Sequence, residues 1–148
     1  MQRKARLAGS GLGRFLYRYL NASLRLIAPS AWGDRRKLTR AIQGQYLAPF
    51  ADRDARERVL WALARALAGA ADHYDRLWQR RDRLHAIPAL IIWGMKDSAF
   101  RPSQLDRWRQ ALPGAAVVPI EGAGHWPHEE EPARVIEALQ GFLRAPRP

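Results

Sequence analysis

The sequence of 148 residues contains no cysteine. That excludes disulfides, thiolate catalysis and cysteine-based zinc sites, and leaves the redox compartment open. Lysine is scarce as well. Only Lys4, Lys37 and Lys96 occur, so arginine supplies most of a formal net charge of +11. Acidic residues are missing from residues 1–33, against six basic ones, which is the composition of a transit peptide. No apolar run approaches the roughly 20 residues that span a bilayer. No internal repeat or low-complexity segment occurs. What the chain does have is an apolar fraction of 47%, enough for one domain with a modest core.

The charge is uneven. Residues 1–85 hold 18 of the basic and 7 of the acidic side chains, whereas residues 86–148 hold 7 of each. Such asymmetry can mark a polyanion partner, either nucleic acid or an anionic membrane. Against that, the arginines are spread along helices of an Ala-rich chain, as high-GC coding produces, and do not gather on one short face. The expectation is therefore no nucleic-acid partner and no stable membrane span. Arg14, Arg18 and Arg25 break the apolar run from Leu12 to Ala28. On an α-helical wheel they fall in one narrow sector, with Phe15, Leu16, Tyr19, Leu26 and Ile27 on the other side. That apolar side predicts a helix packed on protein.

Two grammars divide the chain. After a basic N-terminal segment over 1–11, residues 12–86 read as helices only. Helices are predicted at about 12–28, 35–44, 53–68 and 72–81, broken by "APSAWGD" (28–34) and by Pro49. Asp52 or Asp54 is the N-cap of the third, in which Val59, Leu60, Leu63 and Leu67 recur at helical spacing. Residues 87–148 change period. "PALIIWG" (88–94) is a short apolar run that predicts a strand buried on both faces of a parallel sheet. A helix over 101–112, with Pro102 and Ser103 in its first turn, leads to a second strand within 113–122. Pro119 places that strand at an edge. A final helix over 131–144 opens at Pro132 and carries Val135, Ile136, Leu139 and Phe142 on one side. Strand, helix, strand, helix is an α/β order, with two parallel strands.

Each predicted strand runs directly into a loop that can carry chemistry. "WGMKDSAF" (93–100) holds Asp97 and "GAGHWPH" (122–128) holds His125. In open parallel sheets, catalytic groups sit just past the carboxyl ends of the strands, so neighbouring strands would bring the two to one rim. A carboxylate on one imidazole nitrogen fixes the tautomer, and the other nitrogen can then take a proton from a nucleophile or a water. Taken singly, Asp97 could instead cap the following helix, and His125 could be a structural histidine. Together, after consecutive strands, they favour catalytic ancestry. His125, His128 and the glutamates also have the make-up of a metal cluster, but Pro127 breaks the helix that would align an H-x-x-H pair. No metal and no cofactor are expected. Trp93, Phe100 and Trp126 flank the two loops and either line an apolar substrate pocket or belong to ordinary core.

"PALIIWGMKD" followed by "LPGAAVVPIEGAGHWPHEEEP" resembles the end of an α/β-hydrolase-fold enzyme, with the haloalkane dehalogenase group as the nearest pattern. The relatives of that group include epoxide hydrolases and the β-lactone decarboxylases of olefin synthesis. By resemblance, Asp97 is the acid after the seventh strand and His125 the base after the eighth. Residues 12–86, including "YLAPF" (46–50), are similar to the helical cap inserted before the seventh strand. Ser98 stands where the family often has proline. His73 and His85 then fall on the surface or in the cap, as do Trp32, Trp61 and Trp78. Dehalogenases hold the leaving halide with an indole N–H, and no one tryptophan is singled out for that here. The resemblance implies a cytoplasmic hydrolase of small apolar organic substrates.

One part of that machinery has no counterpart. The family's order is nucleophile, acid, histidine, with the nucleophile on a strand-to-helix elbow between small residues. Ser10 in "LAGSGLG" and Asp34 in "AWGDRR" lack a preceding strand and the right flanks, and Ser23 and Ser30 sit in helix and turn. The oxyanion-hole loop and the first six strands are also without counterpart. The expectation is a C-terminal portion of a hydrolase, from a truncated gene, a split gene or a start assigned too late. Two parallel strands cannot make an independent sheet, and an open apolar edge favours a homodimer or pairing with an N-terminal half-chain. The competing readings are a basic helical binding module, which leaves Asp97 and His125 unexplained, and a non-catalytic remnant that only associates with a partner. Reading the DNA upstream of Met1 separates the gene-level versions. An in-frame small-x-Asp/Ser-x-small elbow is expected for a misassigned start, and a clean stop codon there would exclude it.

Overall fold

The computed structural model describes residues 8–145. Residues 1–7 of the expected basic segment lie outside the described residues. The chain divides into two compact units. The first runs to Pro29 and resumes over Leu38–Trp78, and the second takes Ser30–Lys37 and everything from Gln79. Residues 30–37, which take in most of the break expected over 28–34 and the start of the helix expected over 35–44, therefore belong with the strands.

The first unit is helical. α1 (Gly11–Phe15) begins at Ser10, whose hydroxyl accepts from the Gly13 N–H, and continues as wider π-helical turns over Leu16–Leu20. Asn21 then takes the left-handed conformation, φ 49° and ψ 42°, which Asn tolerates better than most residues and which stops the helix. A second π-helical stretch, Ser23–Ile27, runs into a short turn at Ala28–Ser30. The single helix expected over 12–28 is thus two pieces. The helix expected over 35–44 is a 3-10 turn, Arg35–Lys37, and then α2 (Arg40–Leu47), capped by Thr39. α3 (Arg53–Gly69) starts at Asp52, whose carboxylate accepts from the Ala55 N–H at 2.7 Å. α4 (Ala71–Gln79) follows.

Packing in this unit reverses the expected sides. Phe15, Tyr19, Leu26 and Ile27 are 53%, 52%, 65% and 62% exposed, and the buried aromatic is Tyr17. Tyr17 clusters with Leu60 and Ala64 of α3, against Phe50 and Trp61. Val59, Leu63 and Leu67, expected beside Leu60, are exposed. A π turn advances fewer degrees per residue than an α turn, so an α-helical wheel misplaces the sides from residue 16 onward. The basic side chains fill the gap. Arg14 and Arg18 both bond the buried Glu57 carboxylate, Arg18 at 2.8 Å, and Arg18 also pairs with Asp54. The buried Arg56 guanidinium donates to the carbonyls of Tyr17 at 2.7 Å and Phe50 at 3.0 Å, and to that of Arg18. It thereby satisfies carbonyls near the ends of helical pieces, which otherwise lack partners. Burial pushes the Tyr17 hydroxyl above its ordinary pKa, against the hydrogen bond with Ser23.

The second unit carries the strands. β1 (Leu90–Gly94), α5 (Pro102–Ala111), β2 (Ala116–Ile120) and α7 (Pro132–Arg144) follow in the predicted order, with a short helix that was not expected, α6 (Pro127–Glu130), before α7. The two strands pair in parallel, from Leu90 opposite Ala116 to Gly94 opposite Ile120. Ile120, Ala123 and Val135 form the core with Ile92 and Val118, and Leu105 of α5 is fully buried. β1 is not buried on both faces: Leu90 to Trp93 are all half-buried, because among the described residues β2 is its one neighbour. Pro119 sits opposite Trp93, and among the described residues β2 has no strand on its far side. On α7, Val135 is buried while Ile136 and Leu139 are exposed. A cavity of about 420 Å³ lies at the amino ends of the strands, between residues 84–89 and 112–115.

Three backbone segments touch at the opposite end. A Cβ on Gly33 would come within 2.6 Å of the Ala123 carbonyl carbon and the Gly124 nitrogen. A Cβ on Gly94 would collide with the Gly124 carbonyl oxygen, and one on Gly124 with that of Ala31. The absence of side chains here lets residues 31–33 run against the 122–124 loop.

Two outcomes follow from these contacts. The Arg18 and Arg14 guanidiniums hold the Glu57 carboxyl below its ordinary range, outweighing burial. A depressed folded-state pKa gives stability that is present above the ordinary glutamate value and lost as pH falls through the folded-state value. Urea unfolding midpoints should therefore drop below about pH 4, and Glu57→Gln should lower stability at neutral pH and flatten that drop. Gly124→Ala should destabilise by about 3 kcal/mol in the same assay, because the atoms in its way are backbone.

Candidate active site

The parallel register puts Gly94 and Ile120 side by side, and the loops that leave them are stitched together. The Met95 N–H donates to the Ile120 carbonyl at 3.1 Å and the Lys96 N–H to the Ala123 carbonyl at 2.9 Å. A tight turn then bonds the Asp97 N–H back to the Gly94 carbonyl at 3.2 Å. This aims the Asp97 side chain across at the other loop.

The carboxylate of Asp97 is buried and uses both oxygens. Oδ1 accepts from the N–H groups of Ala99 at 2.7 Å and Phe100 at 3.0 Å. Oδ2 lies 2.7 Å from Nδ1 of His125, 28 residues further on. Asp97 therefore does not cap the following helix. One oxygen holds its own loop, while α5 is capped by Arg101 and Gln104. A carboxylate only accepts, so Nδ1 carries the proton and Nε2 keeps its lone pair. Nε2 makes no hydrogen bond among the described residues, and the His125 side chain is 31% exposed. The pair therefore has an anchored acid, a fixed tautomer and an open basic nitrogen, which is the chemistry of a general base.

Aromatic rings hold the imidazole. Phe100 stacks on it, with centroids 5.3 Å apart and 21° between planes, and Trp126 meets it edge-on at 4.9 Å. Trp93 reaches Phe100 edge-on at 6.4 Å and donates its indole N–H to the Phe100 carbonyl at 3.1 Å. Of the three residues expected to line a pocket, two touch His125, and Trp93 supports one of them. None of them lines the cavity at the amino ends of the strands. Trp32, expected among the helical tryptophans, is buried 5.9 Å from Trp126. Trp61 donates its N–H to the Gly9 carbonyl at 3.0 Å, so neither its indole nor that of Trp93 is open to a halide.

The residues weighed as nucleophiles have other occupations. Ser10 caps α1 and Ser23 bonds Tyr17. Asp34 is held by the Arg36 guanidinium at 2.9 Å through each oxygen, which brings its carboxyl down to about 2. His85 Nε2 donates to the Ala111 carbonyl at 2.6 Å, and His73 lies edge-on to Tyr74. Among the described residues no group of three His, Asp or Glu is placed to hold a metal, and no helix is long and apolar enough to cross a membrane.

Sequence reasoning assigned no role to Glu130. It is 3% exposed, and its carboxylate accepts from the Gly124 N–H at 2.7 Å and the Asp34 N–H at 2.9 Å. Lys37 reaches the Glu130 carbonyl at 2.9 Å and the Glu131 carboxylate. Within "EEEP" it looks like one more surface acid. It stands two positions before the helix-opening Pro132, and nothing local marks it out from Glu129 and Glu131.

Comparison with known proteins bears on the fold. An uncharacterised protein of Mycobacterium bovis is 32% identical over 90 residues, 59% of this chain and 26% of its own length. The cis-3-alkyl-4-alkyloxetan-2-one decarboxylase of Xanthomonas campestris is 27% identical over 137 residues, 89% of this chain and 45% of that one. A loop variant of a haloalkane dehalogenase from Bradyrhizobium elkanii superposes with a TM-score of 0.77 at 24% identity, over 95% of this chain and 48% of the other. The chain spans about half the length of these relatives or less. Residues 13–132 match the profile of the alpha/beta hydrolase fold, and the chain belongs to that family.

Proposed function

We propose that this chain supplies the acid and the histidine base of a dehalogenase-like hydrolase, and that the nucleophile comes from polypeptide outside residues 1–148. The observation that carries this reading is the 2.7 Å contact of Asp97 Oδ2 with His125 Nδ1, which leaves Nε2 open. In the assembled enzyme a carboxylate nucleophile displaces halide from a haloalkane, or opens an epoxide, and forms an alkyl ester; a serine nucleophile would instead give its proton to His125, attack an ester carbonyl and expel the alcohol to form an acyl ester. Nε2 of His125 takes a proton from water, the hydroxide adds to the ester carbonyl, the ester C–O bond breaks, and the imidazolium returns its proton to the departing oxygen as product and nucleophile separate. Asp97 stabilises the imidazolium formed in that step. Residues 12–86 serve as the cap of such an enzyme. Phe100 and Trp126, around the imidazole, give its surroundings the apolar character that a haloalkane, epoxide or lipophilic ester requires.

The edge of β1 that meets no strand among the described residues supports the same reading. Its half-buried side chains and open ladder positions are what a further strand would cover, from a nucleophile-bearing half or a second copy. The test is turnover of short haloalkanes, epoxides and nitrophenyl esters by the purified 148-residue chain, alone and with a polypeptide carrying the elbow. Background rates are expected alone, with turnover appearing on mixing and falling about a thousandfold in His125→Ala. Robust turnover by the chain alone, lost in His125→Ala, would refute the missing nucleophile. Restored turnover indifferent to His125→Ala would refute the base.

A further inference from the structure

We infer that Glu130 is a positioning residue for His125: its buried carboxylate clamps the backbone on which the imidazole stands. The inference rests on the reading of Asp97 and His125 as acid and base, and adds the device that holds the base in place. Three observations carry it.

First, both oxygens of Glu130 are used, and they join segments far apart in sequence. Oε1 accepts from Gly124, the residue before His125, and Oε2 from Asp34, 96 positions away in the chain. Second, the two clamped segments are bonded again beside the clamp. The His125 N–H donates to the Ala31 carbonyl at 2.8 Å, and Gly33 and Gly124 are in backbone contact. The backbone nitrogens of Gly124 and His125 are therefore each tied to a different anchor. Third, a carboxylate that is 3% exposed carries a desolvation cost, and no cation bonds its oxygens among the described residues. The Lys37 ammonium bonds the Glu130 carbonyl and the Glu131 carboxylate instead. What offsets the cost is a pair of charge-assisted hydrogen bonds to backbone N–H groups. A glutamine would turn an N–H₂ towards one of the two donors, and an aspartate is one methylene too short to reach both.

Glu130 is not itself a catalytic acid or base, since both oxygens are committed and the group is out of solvent. Its effect passes through His125. A 2.7 Å hydrogen bond weakens steeply with small changes of distance and angle, so a loosened 122–125 loop breaks the alignment with Asp97 before it unfolds anything.

The test uses the full chain, labelled with ¹⁵N, in wild type, Glu130→Gln, Glu130→Asp and the control Glu131→Gln. The readouts are the downfield resonance of the His125 Nδ1 proton, the tautomer from the ring nitrogens, and the melting temperature. Wild type and Glu131→Gln should show the resonance. Both Glu130 variants should lose it, or exchange it rapidly, well below their melting temperatures. A Glu130→Gln protein that keeps the wild-type resonance overturns the inference and leaves the catalytic pair standing. Absence of the resonance in wild type removes the pair and the inference with it. If neither Glu130 variant folds, amide exchange in the wild type decides. Gly124, Asp34 and His125 should be protected together, and exchange of Gly124 or Asp34 at the rate of an exposed loop would overturn the clamp.

Discussion

Gly94 pairs with Ile120 at the carboxyl end of a two-strand parallel ribbon, and the rim of the second unit depends on that register. Parallel strands end on the same side, so the loops leaving them are neighbours although 28 residues separate Asp97 from His125. Slipping the ribbon by one residue would turn every strand side chain to the other face and part the loops. The glycines make the remaining contact available. Without a Cβ at Gly94 or Gly124, backbone can lie on backbone, and residues 31–33 close over the histidine loop from the far side. The geometry of the Asp97–His125 pair is thus a property of strand ends and backbone approach before it is one of side chains.

The histidine is held more thoroughly than a dyad requires. Its ring nitrogen meets Asp97, its ring face meets Phe100 and its ring edge meets Trp126. Its backbone meets Ala31, and the residue before it meets Glu130. One ring nitrogen is left for chemistry. A general base gains from such restraint because proton transfer needs the lone pair in a narrow range of positions. Asp97 is restrained in the same manner, with one oxygen given to its own loop and the other to the imidazole.

Charge in the helical unit is structural to an unexpected degree. Arg14 and Arg18 bond the buried Glu57 and the buried Arg56 donates to helix carbonyls, while Phe15 and Tyr19 of the first helical segment are exposed. Those arginines are paired within the helical unit. The reversal follows from π-helical turns and from Asn21, which together rotate the segment away from the side that α-helical periodicity assigns.

The strands, their order, the helices at either side and the two loops that bear Asp97 and His125 were legible in the sequence. Continuous apolar runs, prolines that open helices and a change of period are local signals, and they write themselves into a few consecutive residues. Asp52 could likewise be read as a cap, because a cap acts within three residues. Other features had no such signal. Which side of residues 11–27 is buried depended on a helix geometry that adjacent residues do not announce. The place of Trp32 beside Trp126, the passage of residues 31–33 along the histidine loop and the burial of Glu130 are all contacts across some 90 residues or more. Composition and spacing by themselves determined that an acid and a base follow consecutive strands. Only the tertiary structure decided what holds them, because an acid in a run of glutamates looks solvated until the backbone N–H groups it serves arrive from elsewhere in the chain.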